Sequence, residues 1–243
     1  MEDKMIRVAI THGDTNGIGY EVILKTFATP TILELCTPIV YGSPKLVAYH
    51  RKALNLETSF NIIERAEDAC DGKLNILACF DDEVKVELGQ PSEEAGKAAL
   101  MALDRAMTDY RSGLYDVLVT APINKATIQG EGFHFPGHTE YIETCVGEGN
   151  KALMILMNED LRVALVTTHL PIRNVAEAIT QEAIVEKASI FNLSLKRDFR
   201  ISSPRIAVLS LNPHAGDNGL LGNEEKDIII PAIEELEKKG IQA

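Results

Sequence analysis

The sequence predicts an α/β protein, and three observations carry that reading. Strand-like and helix-like segments alternate along the 243 residues. Two apolar runs, LRVALVTTH ending at His169 and RIAVLSLNPH ending at His214, read as buried strands. A tight turn at Asn158-Glu159-Asp160 joins two apolar segments. Such a turn implies an antiparallel pair, so the sheet is expected to be mixed rather than purely parallel.

Taken in order, MIRVAITHG is the first strand, with a helix opening near Tyr20. TPIVYG is a second strand, followed by a helix over 44–54. SFNIIE and LNILACF are further strands. Residues 91–112 form the longest helix candidate: Ser92 can cap its start, Glu93 and Glu94 suit the positive end of its dipole, and Gly113 can end it. YDVLVTAPINK reads as a buried strand running into a loop, and KALMILMNEDLRVALVTTH as two strands around the Asn158 turn. Residues 175–196 are helical, in two pieces. PRIAVLSLNPH is the last strand and 224–239 the last helix, after which GIQA ends abruptly, as a truncated chain would.

The totals exclude several classes. With 36 acidic against 24 basic residues, the formal charge is −12, which disfavours nucleic acid and anionic membrane as partners. Aromatics are 5% and Trp is absent, so base-stacking surfaces are not expected. A small phosphate ester remains compatible, because it needs only a local pocket. No stretch has transmembrane length, and the start lacks a leader's apolar core. Cys36, Cys70, Cys79 and Cys145 are scattered singly, as in a reducing cytoplasm.

Five segments are candidates for chemistry. GDTNGIGYE, residues 13–21, follows the first strand and opens a helix. Its glycines either let amides approach an anion or serve a tight turn, and their spacing is not that of a dinucleotide fingerprint. In TAPINK, Asn124 reads as a cap, while Lys125 is either an anion contact or a solvated lysine. FPGHTE places His138 and Thr139 at a helix start. Thr139 is expected to cap the helix, and a phosphate there would meet free amides, a hydroxyl and an imidazole. TTHLPIR and LNPHAGDNG place His169 and His214 at equivalent strand ends, the edge where open α/β sheets bind ligands. Two imidazoles there can share a divalent metal, whose catalytic sites usually take three protein ligands. His12, His50 and His134 have no comparable setting, and His50 reads as an exposed helix residue.

GDTNGIGYE, TAPINK, FPGHTE, TTHLPIR and LNPHAGDNG, in that order, resemble the 4-hydroxythreonine-4-phosphate dehydrogenase family of pyridoxal 5′-phosphate biosynthesis. The resemblance covers nearly the whole chain. It implies a fold akin to the isocitrate and isopropylmalate dehydrogenases: two α/β/α domains with a cleft, expected here as 1–125 and 126–243. It also implies a homodimer with the active site at the subunit interface. His138 and Thr139 would bind a small phosphorylated substrate, and His169 and His214 would hold a divalent metal (zinc, magnesium or cobalt). NAD or NADP would accept hydride without a Rossmann domain. Family members continue well beyond residue 243, and their further portion supplies a third metal histidine, from the partner subunit, and much of the NAD site. The resemblance assigns no catalytic acid or base here. Dehydrogenases of threonate or erythronate 4-phosphate, a non-catalytic phosphate- or metal-binding fragment, and a metal-dependent hydrolase are the alternatives.

Overall fold

The computed structural model describes residues 5–80, 84–130 and 132–243; residues 1–4, part of the leader reading, lie outside these. The chain divides into two compact units, Met1–Lys151 and Ala152–Ala243.

The first unit is built on five strands: β1 (Arg7–Thr11), β2 (Thr37–Gly42), β3 (Asn61–Ile63), β4 (Asn75–Ala78) and β5 (Val117–Thr120). They form one sheet in the order β3-β4-β2-β1-β5, and every pairing is parallel. Adjacent residues point to opposite faces of a strand, and the core divides accordingly. Ala9, Ile39 and Leu77 pack into one apolar cluster with α3 (Glu93–Arg111) and Tyr141 of α4 (His138–Val146). Ile10, Val40 and Ile76 pack into the other with α1 (Gly19–Thr26) and α2 (Pro44–Ala53). All six strand residues are at most 5% exposed, as expected for a sheet covered on both faces.

The helix starts follow from local chemistry. Ser43 accepts a hydrogen bond from the Leu46 amide, with Pro44 at the first helical position of α2. Ser92 accepts from the Ala95 amide at the start of α3, and Gly113, at φ +68°, follows its last turn. Small residues line the inner face of α3, so the helix sits close to its neighbours. A Cβ on Gly96 would lie 2.0 Å from the Thr127 carbonyl oxygen. Because α4 shares the α3 core, residues 126–151 belong with the first unit. The division falls after Lys151, not at the expected 125/126 boundary.

Strand β1 has β2 on one side and β5 on the other. Strand order therefore reverses at β1, and the carboxyl ends of β1 and β5 mark the sheet's switch point, where ligands of open α/β sheets bind.

The second unit contains an antiparallel pair, β6 (Ile155–Met157) and β7 (Arg162–Ala164). The Asn158 side chain shapes the turn by accepting from the Asp160 and Leu161 amides. Helices α5 (Val175–Ala178) and α6 (Gln181–Arg197) form the expected two pieces, and Thr180 caps α6 through the Ala183 amide. A π-helical turn, Glu225–Ile229, leads into α7 (Ile230–Lys238). Ile184, Val185, Ala188, Ile229, Ala232 and Leu236 form this unit's core.

Two strand expectations are corrected here. β7 ends at Ala164, so 165–169 is not strand, and PRIAVLSLNPH forms no ladder. Its one pairing is a parallel bridge from Arg205 to Gln242. The segment is apolar and extended, but a strand needs a neighbour, and Leu209 stands 81% exposed. Among the described residues the parallel and antiparallel pairings lie in separate sheets, so no mixed sheet forms.

The close approach at α3 gives a direct check. Gly96→Ala is expected to destabilise the protein by about 1–3 kcal/mol, because backbone on the facing segment must shift. Urea unfolding measures this, and a neutral result would show that the contact yields.

Candidate functional site

The loop after β1 presses on the loop after β5. Gly13 has φ +74°, and a Cβ there would lie 2.3 Å from the Pro122 carbonyl oxygen, so both conformation and space require glycine. The Asp14 amide donates to that carbonyl at 2.9 Å. The Asn16 amide donates to the Asp14 carboxylate and the Gly17 amide to the Asp14 carbonyl. The Asn16 side chain donates to the Gln90 carbonyl and Ser92 hydroxyl and accepts from the Glu87 amide. The Asp14, Asn16 and Gly17 amides are therefore engaged within the protein. Of the two readings of GDTNGIGYE, these bonds favour the tight turn over an anion cradle.

A polar group lies buried beneath this loop. Thr11, His12 and Thr15 are at most 1% exposed. The Thr11 and Thr15 hydroxyls and both His12 ring nitrogens make no hydrogen bond of normal geometry. His12 stacks on Tyr20 with ring centroids 5.0 Å apart. Burial pushes its pKa down to about 4; the backbone of Ala98 and Gly13 works against the shift and His50 adds to it. His12 is thus a neutral core residue. His50 is also buried, 2% exposed, with Nε2 2.9 Å from the Thr15 carbonyl oxygen. This corrects its expected exposure: Leu46, Val47 and His50 share the inner face of α2.

The carboxyl edge also carries TAPINK and FPGHTE. The Asn124 side chain accepts from the Ala126 and Thr127 amides and shapes a turn. That turn places Lys125 beside the start of α4. The Lys125 Nζ lies 4.0 Å, and Glu140 Oε2 3.7 Å, from where a Gly137 Cβ would stand. His138 Nε2 is buried without a hydrogen bond. Burial lowers the His138 pKa and the Lys125 charge lowers it further. Gly137, not Thr139, is the N-cap residue, and no side chain caps this helix. The helix begins directly after the Pro136-Gly137 turn, which puts Thr139 inside the first turn. His138, Thr139, Lys125 and uncapped helix amides thus come together, suited to a small anion. His134 is exposed. An open depression of about 430 Å³, lined by Phe60, Asn61, Lys73 and Leu74 among others, lies instead at the amino ends of β3 and β4.

His169 and His214 belong to the second unit, and both are exposed. His169 has φ +55°, and His214 directly precedes residues 215–219, all with positive φ. Such backbone is costly for non-glycine residues and gathers at functional loops. Asn212 organises the second loop: its side chain accepts from the His214 amide and donates to the Leu221 carbonyl, and its own amide donates to the Glu225 carboxylate. The donor chemistry suits a divalent ion in part. Among the described residues, however, no group of three or more His, Cys, Asp or Glu side chains is placed to hold one.

The first unit therefore defines an α/β protein whose parallel sheet brings Lys125, His138 and Thr139 to its carboxyl edge. The sequence family agrees: residues 34–243 match the family model described as pyridoxal phosphate biosynthetic protein PdxA, and the chain belongs to that family. It is 65% identical over 241 residues to a 4-hydroxythreonine-4-phosphate dehydrogenase of Bacteroides thetaiotaomicron, covering 99% of this chain and 66% of that protein. Among solved structures it resembles the enzyme of that name from Burkholderia phymatum (TM-score 0.83, 34% identity, 98% of this chain and 73% of that one). It also resembles the one from Klebsiella pneumoniae (TM-score 0.86, 29% identity, 100% and 73%). The chain thus spans about two thirds to three quarters of the length of these relatives.

The buried histidine generates a pH prediction. The folded-state pKa of His12 lies below its unfolded value, so the unfolded chain takes up the proton first. Stability is full above about pH 6.5 and falls as pH drops toward about 4, by roughly 3 kcal/mol from this group. His50 acts in the same direction. Denaturant unfolding of wild type and His12→Asn at about pH 7 and about pH 4.5 checks this. An equal loss in both proteins would rule out the role of His12.

Proposed function

We propose that the chain serves an NAD-dependent, divalent-metal-dependent oxidation of 4-phosphooxy-L-threonine to 2-amino-3-oxo-4-phosphooxybutanoate. That β-keto acid then loses CO₂ to give 3-amino-2-oxopropyl phosphate, in pyridoxal phosphate biosynthesis. The observation that carries the reading is 65% identity across 99% of the chain to a relative named for this activity. In this reading the whole protein shares the architecture of the isocitrate and isopropylmalate dehydrogenases and works as a cytoplasmic homodimer, with the active site at the subunit interface.

Each unit has a stated role. His138, Thr139 and the first-turn amides of α4 bind the substrate's phosphate. Charge-assisted hydrogen bonds at a helix start anchor that end of the molecule and hold it away from the reacting carbon. His169 and His214 supply imidazole ligands to zinc, cobalt or magnesium, and the further ligand comes from outside the described residues. A divalent ion, when bound, contributes Lewis-acid polarisation of a substrate oxygen. The left-handed backbone at His169, and the left-handed run that begins directly after His214, fix where these side chains leave the chain. NAD or NADP is the hydride acceptor; no described residue is assigned to it, and the engaged amides of the loop after β1 argue against a phosphate contact there.

Assay of the purified protein with NAD, a divalent ion and 4-phosphooxy-L-threonine is expected to give metal-dependent NADH formation. Threonate or erythronate 4-phosphate, run in parallel, sets the substrate class. Faster turnover of the sugar acids would move the assignment to them, and ligand binding without turnover would leave a binding role.

Substitutions separate the two units' roles. His138→Ala is expected to raise KM for the phosphorylated substrate about tenfold or more while metal affinity stays unchanged. His169→Ala and His214→Ala are expected to lower metal affinity by about tenfold or more and to leave thermal stability of the metal-free protein near wild type. Metal titration by calorimetry decides, and unchanged affinity in both variants would remove these histidines from the metal site.

A further inference from the structure

We propose that Lys125 is a further substrate-binding residue: its ammonium group, beside Gly137 and His138, sets the charge of the anion taken there and selects a doubly ionised phosphate ester over a carboxylate. This rests on the reading of His138 and Thr139 as the phosphate end of the site.

Three observations carry it. Lys125 makes no ion pair among the described residues, in a protein where acidic residues outnumber basic ones 36 to 24. Its position is set by backbone, because Asn124 closes the turn on either side of it through the Ala126 and Thr127 amides. Its ammonium stands 4.0 Å from the Gly137 Cβ position, where Glu140 Oε2 also approaches to 3.7 Å. Among the described residues, an anion arriving at His138 therefore meets the Lys125 ammonium, with the Glu140 carboxylate also close by.

The charge arithmetic favours a dianion. A singly charged carboxylate gains one unit of attraction from Lys125, and a phosphate dianion gains about twice that at the same distance. Burial favours the neutral form of His138, and the ammonium adds to that. A bound dianion reverses that field, so the imidazole can take a proton and donate from Nε2, which is buried and without a partner. Lys125 then acts twice: it binds the phosphate directly, and in the free protein it opposes protonation of His138.

The test uses the purified 243-residue chain with inorganic phosphate and acetate as probes, by calorimetry, and follows the His138 ring by NMR titration. Phosphate binding is expected to strengthen as its second proton leaves, near about pH 6–7, with acetate much weaker. Lys125→Met is expected to weaken phosphate at least about tenfold, and Lys125→Arg to stay within about threefold of wild type. In Lys125→Met the free protein's His138 is expected to titrate at higher pH, a change that a structural defect would not produce selectively. Unchanged phosphate affinity in Lys125→Met, with affinity lost in His138→Ala, would overturn the role of Lys125 and leave the phosphate site standing. Unchanged affinity in His138→Ala, or no phosphate binding by the unmodified chain, would overturn the site and this proposal with it. An unmoved His138 titration in Lys125→Met would overturn the electrostatic link.

Discussion

The hydrogen bond from the Asp14 amide to the Pro122 carbonyl holds the carboxyl edge of the first sheet together. It extends the β1–β5 ladder past its last pair, just beyond the bond from the Ala121 amide to the Thr11 carbonyl. The absence of a side chain at Gly13 is what permits the approach. From there the geometry propagates by backbone contact: the β5 loop turns at Asn124, the Thr127 carbonyl seats against Gly96 of α3, and α3 shares its core with α4. Lys125 and His138 come from segments with different folding signals, and this succession of close contacts makes them neighbours.

Much of the first unit was legible because its signals are local. Ser43 and Ser92 cap the helices they were expected to cap, and neighbouring residues on the strands divide cleanly between two cores. The parallel order of five strands was not legible, since pairing depends on crossovers rather than on any one segment. The glycines of GDTNGIGYE were ambiguous for a related reason. A phosphate loop and a tight turn use the same residues, and only the destination of each amide distinguishes them. The burial of His50 did leave a trace, in its spacing of four from Leu46 and three from Val47, but an imidazole at the edge of a basic run reads as solvated. His12 left none, because nothing local says that two helices will close over it.

The second unit shows the opposite balance. Its helices and the Asn158 turn follow their local signals, yet of two apolar runs that read as strands one is strand only over Arg162–Ala164 and the other forms no ladder. Pattern encodes a preference for extended backbone and for one buried face; a ladder also requires a partner of the right length alongside. Ile206 and Val208 do find the unit's core while Leu209 points away from it. The alternation was therefore real even though the sheet was not. The candidate site was half legible in the same sense. His138, Thr139, His169 and His214 stand out as residue types in turn-rich settings, whereas the pairing of Lys125 with His138 is a property of the fold.

The left-handed run at 215–219 changes what the letters of LNPHAGDNG mean. Read as chemistry, Asp217 and Asn218 are a carboxylate and an amide offered to a ligand. Read as conformation, they are among the few side chains that tolerate the mirror-image backbone found there, flanked by glycines that tolerate it better. The vocabulary available to this loop is then restricted before any ligand is considered. A β-branched or bulky residue at 215, 217 or 218 would be selected against even in a protein that bound nothing. Sameness among related proteins along this stretch would accordingly count as a record of backbone shape, and only His214, whose own φ is ordinary, would carry information about chemistry.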